Sequence, residues 1–518
     1  MRLGRVTAIL VLLVGAVFAA GAGAHEERKT KFPKPPGAVP RYRHGGPYRL
    51  VCNSGSPGRI SRLPSGLRAA NRALYRECRR GGFRNIQAAV NSVTRRRTRI
   101  LVLPGRYLEL PSRARLRGEC ADFADRQLLT HGEQRRCPHA HNLIAIFGDG
   151  NDSNRVCDGR LCELQIEGTG ATPRDVIIDG HFKKLNVIRA DRADGVYFRN
   201  FTVQQSTFNA LYVIETDGFA IDRVLGRWND EYAFLTFASD HGLYKRCEAY
   251  GNGDSGIYPG SAAPHYGARP SIEIRRCRSH HNLIGYSGTA GNSVYAHHNR
   301  FYKNSAGATM DSFFPNHPGL PQNNAVFRHN KIFSNNKDYY RYYRDGTCDK
   351  PYRERGYKNG VVCPAVPVPI GTGIMVAGGN QNLFASNWIY DNWRYGTMLF
   401  WVPAAVRGEN DPDKQYDTSH FNRYIVNRMG VSPAGRGLPN GTDFWWDEEG
   451  AGNCWERNRS PGGVTSDPAT LPDCDQTPVF SPGNSDKQGF LAPCATWSRE
   501  NYDPPGCDWT QRPDRPGG

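Results

Sequence analysis

Asparagine recurs through the middle of this chain at a spacing few folds can accommodate. Aligned on the residue that follows each short alternating segment, the sequence reads Ser206, Asn229, Asn252, Asn282, Asn304, Asn335 and Asn392, at intervals of 23, 23, 30, 22, 31 and 57. A base period near 23, lengthened by insertions in some turns, is the mark of a solenoid. The same alignment stacks Phe198, Ile221, Tyr244, Ile274, Ala296, Phe327 and Phe384 in one inward column, and Val203, Gly226, Ala249, Ser279, Phe301, Ile332 and Ile389 in another. Period-two alternation within each turn, with small or apolar residues stacked between turns, is what parallel strands coiled around a narrow core require. The Asn column then marks a bend at which stacked side-chain amides bond to one another. With 57 Gly, 35 Pro and 38% hydrophobic residues, the composition excludes a coiled coil, a helical bundle or a multi-span membrane protein.

These coils, with Phe83-Arg-Asn-Ile-Gln-Ala-Ala-Val-Asn-Ser-Val93 and Ile100-Leu-Val-Leu-Pro-Gly-Arg-Tyr107 ahead of them, resemble the right-handed parallel β-helix, or pectin-lyase-like, superfamily over roughly residues 81 to 430. The resemblance implies an all-β, single-stranded solenoid with an N-terminal capping helix and a Leu-Pro-Gly-x-Tyr turn opening the first coil. That superfamily holds polysaccharide lyases, uronan epimerases, glycoside hydrolases and non-catalytic surface proteins, so fold alone does not choose among them.

Residues 1–24 carry Arg2 and Arg5, an apolar run and the small-residue end Ala22-Gly23-Ala24, which reads as a cleaved secretory signal peptide. Its removal lowers the formal charge from +18 to +16, and no second apolar segment is long enough to span a membrane. Export leads to the expectation of a secreted, monomeric protein. Fourteen cysteines in an exported chain point to disulfides, with local pairs such as Cys157 and Cys162, Cys120 and Cys137, and Cys348 and Cys363. Cys247 and Cys277, one turn apart, are either bonded or stacked. Residues 25–80 read as an irregular, basic, Pro/Gly-rich extension, and 431–518, with Asp443-Phe-Trp-Trp and Cys454-Trp455, as a disulfide-rich irregular C-terminal cap or small module. His25, the residue after the cleavage point, has the chemistry of a copper ligand, although the chain lacks the other marks of such oxidases.

Outward positions carry the chemistry. One column reads Arg199, Asp222, Lys245, Arg275, His297 and Arg328; its neighbour reads Asn200, Arg223, Arg246, Arg276, His298 and His329. A third runs Thr202, Leu225, Glu248, Arg278, Arg300 and Lys331, beside the rings of Tyr250, His280, Tyr302, Phe333 and Tyr390. Like charges stacked one strand apart repel, and a polyanion relieves that repulsion; the alternative is a merely soluble face. Insertions at Pro259–Pro270, with His265, and at Ser312–Asn323, with His317, leave one corner together with Trp401–Thr418 and wall a groove there, near which Tyr258 and Asp311 face outward. The insertion Lys337–Ile370, with six Tyr, reads either as a sugar-stacking lid or as a disulfide-pinned loop.

The expected partner is an acidic polysaccharide or cell-envelope polymer rather than nucleic acid, engaged along this basic groove. Lysis or epimerisation of a uronan needs a base at C5 and a neutraliser for the carboxylate. Arg275, His297, Arg328, Tyr258 and His265 supply those types, with Lys245, Arg246, Arg276, His298, His329, Asp311, His317 and Tyr302 as polymer contacts. No cofactor is demanded; calcium at Glu231 and Asp254 competes with turn capping. A non-catalytic wall-binding protein and a glycoside hydrolase are the alternatives.

Overall fold

The computed structural model describes residues 30–34, 37–126, 129–150, 157–265, 269–315, 317–415 and 419–517. The signal peptide, His25, Tyr266 and Asn316 lie outside them. Two compact units result, one of residues 27–252 with 275–277, the other of 253–274 with 278–518.

In the first unit three parallel sheets repeat turn by turn. Sheet A runs from Tyr48–Val51 through Arg99–Val102, Gln165–Gly168, Val196–Arg199 and Asp217–Asp222 to Asp240–Lys245. Sheet B runs from Gly105–Tyr107 to Glu248–Asn252, and sheet C from Asn142–Phe147 to Tyr232–Phe237. The registers Phe198 to Ile221 to Tyr244 and Val203 to Gly226 to Ala249 are those the periodicity predicts. In the second unit the same three sheets recur: A through Val294–His297, Val326–Arg328, Leu383–Ala385, Arg423–Ile425 and Cys454–Glu456; B from Arg278–His280 to Arg428–Met429; C from Ser255–Gly260 to Ser466–Asp467. Ala296, Phe327 and Phe384 stack in sheet A, and Ser279, Phe301, Ile332 and Ile389 in sheet B, all fully buried.

Bends turn on a residue of left-handed conformation, which in the later coils is followed by an asparagine. Between sheets B and C of the second unit, Lys303, Ser334 and Asp391 have φ of 56°, 56° and 55°, and the next residues form the expected ladder, Asn304 to Asn335 at 3.0 Å and Asn335 to Asn392 at 3.0 Å. It continues to Asn440 at 3.2 Å. Two further ladders stand at the other bends. Asn299, Asn330, Asn387, Asn427 and Asn458 bond in series at 3.0 to 3.1 Å between sheets A and B, and Asn382, Asn422 and Asn453 at 2.9 and 3.1 Å between C and A.

The solenoid departs from its expected limits at both ends. Residues 48–81 are not an irregular extension: Tyr48–Val51 pairs with Arg99–Val102, and Ser65–Gly81 is a helix fixed by the Cys52–Cys78 disulfide. Leu50, Ile60, Cys78 and Leu101 pack together there. The expected helix over 83–93 is the short Ile86–Asn91, whose first amides donate to the Glu109 carboxylate. Past residue 430 the ladders continue, with Phe444 facing inward and Trp455 stacked on Tyr424 at 5.3 Å. The Phe-Trp-Trp segment therefore belongs to the last coils. The tail beyond it folds back on the outer face of sheet C, where Cys494, Cys507 and Trp509 cover Met375, Met398, Phe400 and Trp445.

All fourteen cysteines are bonded, Cys247 to Cys277 included, in pairs separated by 5 to 30 residues. That is the state of an oxidising compartment. Among the described residues no helix is long and apolar enough to cross a membrane.

Phe327 is fully buried and its ring meets Tyr286, Phe301 and Phe384. Phe327→Ala is expected to cost about 3–5 kcal/mol, and Phe327→Asp, which buries an unpaired charge, to abolish cooperative folding. Urea unfolding followed by far-ultraviolet circular dichroism checks both; a stably folded Phe327→Asp would refute the register.

Candidate functional site

The basic columns divide by unit. In the first, three of the cations gather on one buried carboxylate. Asp222 is fully buried in the midst of Arg199, Lys245 and Arg246, at 3.7, 3.5 and 2.8 Å, and accepts a hydrogen bond from Tyr197 at 2.9 Å. Lys245 and Arg246 are thus structural ion-pair partners rather than the free polymer contacts expected of them. Arg275 and Arg276 lie in the same unit, half-buried and exposed.

In the second unit the outer face of sheet B stays open. Successive strands bring up Arg278, Arg300, Lys331, Trp388 and Arg428 in one column; the three arginines are exposed, and the Arg428 guanidinium lies 4.8 Å over the Trp388 ring. Two residues along, the side chains on this face form a stack of rings: His280 on Tyr302 at 4.9 Å and 28°, Tyr302 on Phe333 at 5.0 Å and 4°, and Phe333 on Tyr390 at 4.9 Å and 5°. Parallel strands in exact register force this stack, because residues at one position repeat at the strand spacing of about 4.8 Å. Burial pushes the Tyr390 hydroxyl up to about 12, with Arg300 opposing. Tyr302 and Phe333 are half-buried on this face, and Tyr390 beyond them is buried.

At the bend beside this face stand His297, His298 and His329. His297 Nε2 donates to Glu273 at 2.9 Å, its ring stacks on Tyr295 at 4.4 Å, and its register partner is the exposed Arg328. His298 and His329 are exposed, their rings 5.2 Å apart.

The corner of inserted loops is different. Tyr258 and Asp311 do point away from the sheet C core, as expected, but they are only 2% and 4% exposed, and His317 is wholly enclosed. None of the three reaches a polymer on the surface; a covered face cannot be told from an open one by alternation. Thr289 Oγ1 donates to Asp311 at 3.0 Å and the Phe313 amide at 3.4 Å. Burial outweighs both bonds and raises the Asp311 carboxyl to about 7, with Asp254 adding repulsion. His265 is half-buried and anchored through its backbone to Ser293 at 2.7 Å. So of the five residues expected to supply a base or a carboxylate neutraliser, His297 and Arg328 are register partners on adjacent strands, Tyr258 is buried, His265 is half-buried in its loop, and Arg275 belongs to the first unit. The Lys337–Ile370 insertion spends its rings inward: Tyr339, Tyr340 and Tyr343 pack with Trp497 around the Cys348–Cys363 bridge.

For a metal, Glu231 and Asp254 fall in different units, and Asp254 is buried. Converging ligand atoms occur instead at Asp217, Asp240 and His241 of the first unit, where His241 Nδ1 is 2.5 Å from Asp217 and 3.7 Å from Asp240. The 23-residue interval separating Asp194, Asp217 and Asp240 is a sequence signal that could have found this column.

Asp311 supplies a stability test. Its folded pKa lies above the unfolded value, so between about pH 4 and pH 7 the folded chain holds a proton that the unfolded chain has lost. Stability contributed by this group is therefore present at low pH and lost as pH rises toward 7. Asp311→Asn is expected to gain stability relative to wild type across that window, read as the difference in urea midpoints at pH 4.5 and pH 7.5; an unchanging difference would contradict the assignment.

The family model described as the right-handed β-helix region matches residues 164–316. No curated protein matches the chain by sequence. Among solved structures the chain is similar to the A-module of the Azotobacter vinelandii mannuronan C-5 epimerase AlgE6, with 13% identity, coverage of 74% of this chain and 92% of that one, and a TM-score of 0.39. It is also similar to a mutant of the periplasmic alginate epimerase AlgG, at 11% identity, 70% of each chain and a TM-score of 0.40. Pectate lyase Pel9A aligns at 12% identity over 68% of this chain and 74% of that one, with a TM-score of 0.35. With its three parallel sheets and amide-laddered bends, and with a family model that matches residues 164–316, the chain folds as a right-handed parallel β-helix.

Proposed function

We propose that the protein engages an acidic polysaccharide along the outer face of sheet B in its second unit. The observation that carries this reading is the ring stack from His280 to Tyr390 running beside the cations Arg278, Arg300, Lys331 and Arg428. The half-buried rings of His280, Tyr302 and Phe333 offer apolar surface to the C–H face of a pyranose, and the column beside them offers fixed positive charge to the carboxylate of the same sugar. Because both columns repeat once per strand, they suit a chain with one charge per repeat better than a compact ligand. The charges are solvent-exposed, so attraction between them and a polymer is screened by salt. Cleavage or epimerisation of the bound chain is a further step, requiring a base and a carboxylate neutraliser at one sugar.

The test is co-sedimentation and calorimetry with a panel of uronans at two salt concentrations. Wild type is expected to bind at least one of them, more weakly at high salt. Arg278→Ser with Arg300→Ser should weaken binding at least tenfold, about 1.4 kcal/mol, and flatten its salt dependence; Phe333→Ala should weaken it without changing the salt slope. Absence of binding to every acidic polymer, or binding indifferent to both variants, would remove the reading. The ultraviolet absorbance of unsaturated uronates, followed in the same samples, reports lysis.

A further inference from the structure

The bend between sheets A and B of the second unit places two imidazoles where an ordinary strand could not. Consecutive residues of a strand point to opposite faces. His297 closes the strand Val294–His297 with its side chain outward, and His298 has a φ of 57°, in the left-handed region. That single residue turns the backbone so that its ring falls on the same outer side as its predecessor's, and the two Nδ1 atoms stand 2.8 Å apart.

The far side of the first ring settles which nitrogen carries the hydrogen. Glu273 Oε1 lies 2.9 Å from His297 Nε2, and a carboxylate oxygen accepts, so Nε2 holds the proton and Nδ1 presents its lone pair toward His298. A carboxylate behind an imidazole is the usual arrangement behind a metal ligand, where it fixes the tautomer and raises the basicity of the other nitrogen. Tyr295, stacked on the His297 ring at 4.4 Å and 20°, holds the ring plane. One turn along the solenoid His329 occupies the same left-handed position, with a φ of 55°, its ring centroid 5.2 Å from that of His298.

We propose that His297 and His298 together bind a transition-metal ion of tetragonal preference, copper(II) before nickel(II). Two nitrogens about 2.0 Å from one ion and at right angles to each other are about 2.8 Å apart, whereas tetrahedral coordination spreads them to about 3.3 Å. The observed separation matches the first geometry. Glu273 behind His297 supplies a compensating negative charge. The pair His280 and His281 has the same Nδ1 separation of 2.8 Å, but burial first, then His280, Lys337 and Lys303, oppose positive charge at His281. That second pair is an internal comparison.

The inference is independent of the polysaccharide reading, since its test contains no polymer. Copper(II) is titrated into the full chain, with calorimetric stoichiometry and electron paramagnetic resonance as readouts. The variants are His297→Gln with His298→Asn, Glu273→Gln, and His280→Gln with His281→Asn; asparagine retains the left-handed backbone. Any copper held at His25 is common to all of them and cancels. Wild type should bind one equivalent more than the His297/His298 variant, with nitrogen splitting in the spectrum that this variant loses. Glu273→Gln should weaken that equivalent about 10- to 100-fold, and the His280/His281 variant should keep it. Equal stoichiometry and an unchanged spectrum in the His297/His298 variant would overturn the assignment and leave a hydrogen-bonded imidazole pair.

Discussion

A ladder of asparagine amides buried along the bends of the second unit is the interaction on which its coils depend. Asn387 shows the full arrangement: its Nδ2 donates to Asn427 Oδ1 and to the Phe327 carbonyl, at 3.0 and 2.9 Å, while its Oδ1 accepts from the backbone amide and the Nδ2 of Asn330, at 3.0 and 3.1 Å. All of the hydrogen-bonding capacity of an amide is used, and nothing polar is left unmet in a dry interior. Because the donor of one turn is held by the acceptor of the next, register cannot slip in one turn alone. The stacked rings, the core columns and the paired imidazoles are all consequences of that fixed register.

Much of this was legible beforehand. The interior columns through Phe327 and Ile332 follow from period-two alternation, and the ladder through Asn304, Asn335 and Asn392 from the repeat itself. The companion ladder was equally present in the sequence, since Asn299, Asn330 and Asn387 each stand five residues before a member of the first. Leu74 and Cys78, one helical turn apart, likewise signalled the helix at 65–81. Covering was not legible. Alternation says that Tyr258 and Asp311 leave the coil interior but not that both are buried, and the cover over Met375 and Met398 is a tail from much later in the chain, which no local pattern encodes.

Charge behaves in the same way. Net charge and column patterning suggested one continuous basic face, and the structure shows that a single buried carboxylate changes what such a column means. Asp222 gathers Arg199, Lys245 and Arg246 about itself, so cations that look alike in the sequence are committed to the fold. Arg278 and Arg300 stand on sheet B rather than sheet A, exposed beside the rings. What surrounds a cation is not contained in a census of Lys and Arg.

The disulfides bear on the order in which the chain assembles. No bridge joins residues more than 30 apart, and sheet registers connect neighbouring coils only. Contacts this local let each coil form on the one before it, without closing a long loop first, which lowers the entropic barrier that usually slows parallel sheets. The tail is the exception. Trp497 and Trp509 pack on residues far earlier in the sequence, so the outer face of sheet C in the second unit is the last to close. Until then its methionines and aromatic rings face solvent, and a chain shortened before residue 494 would keep its coils while exposing an apolar flank to its neighbours.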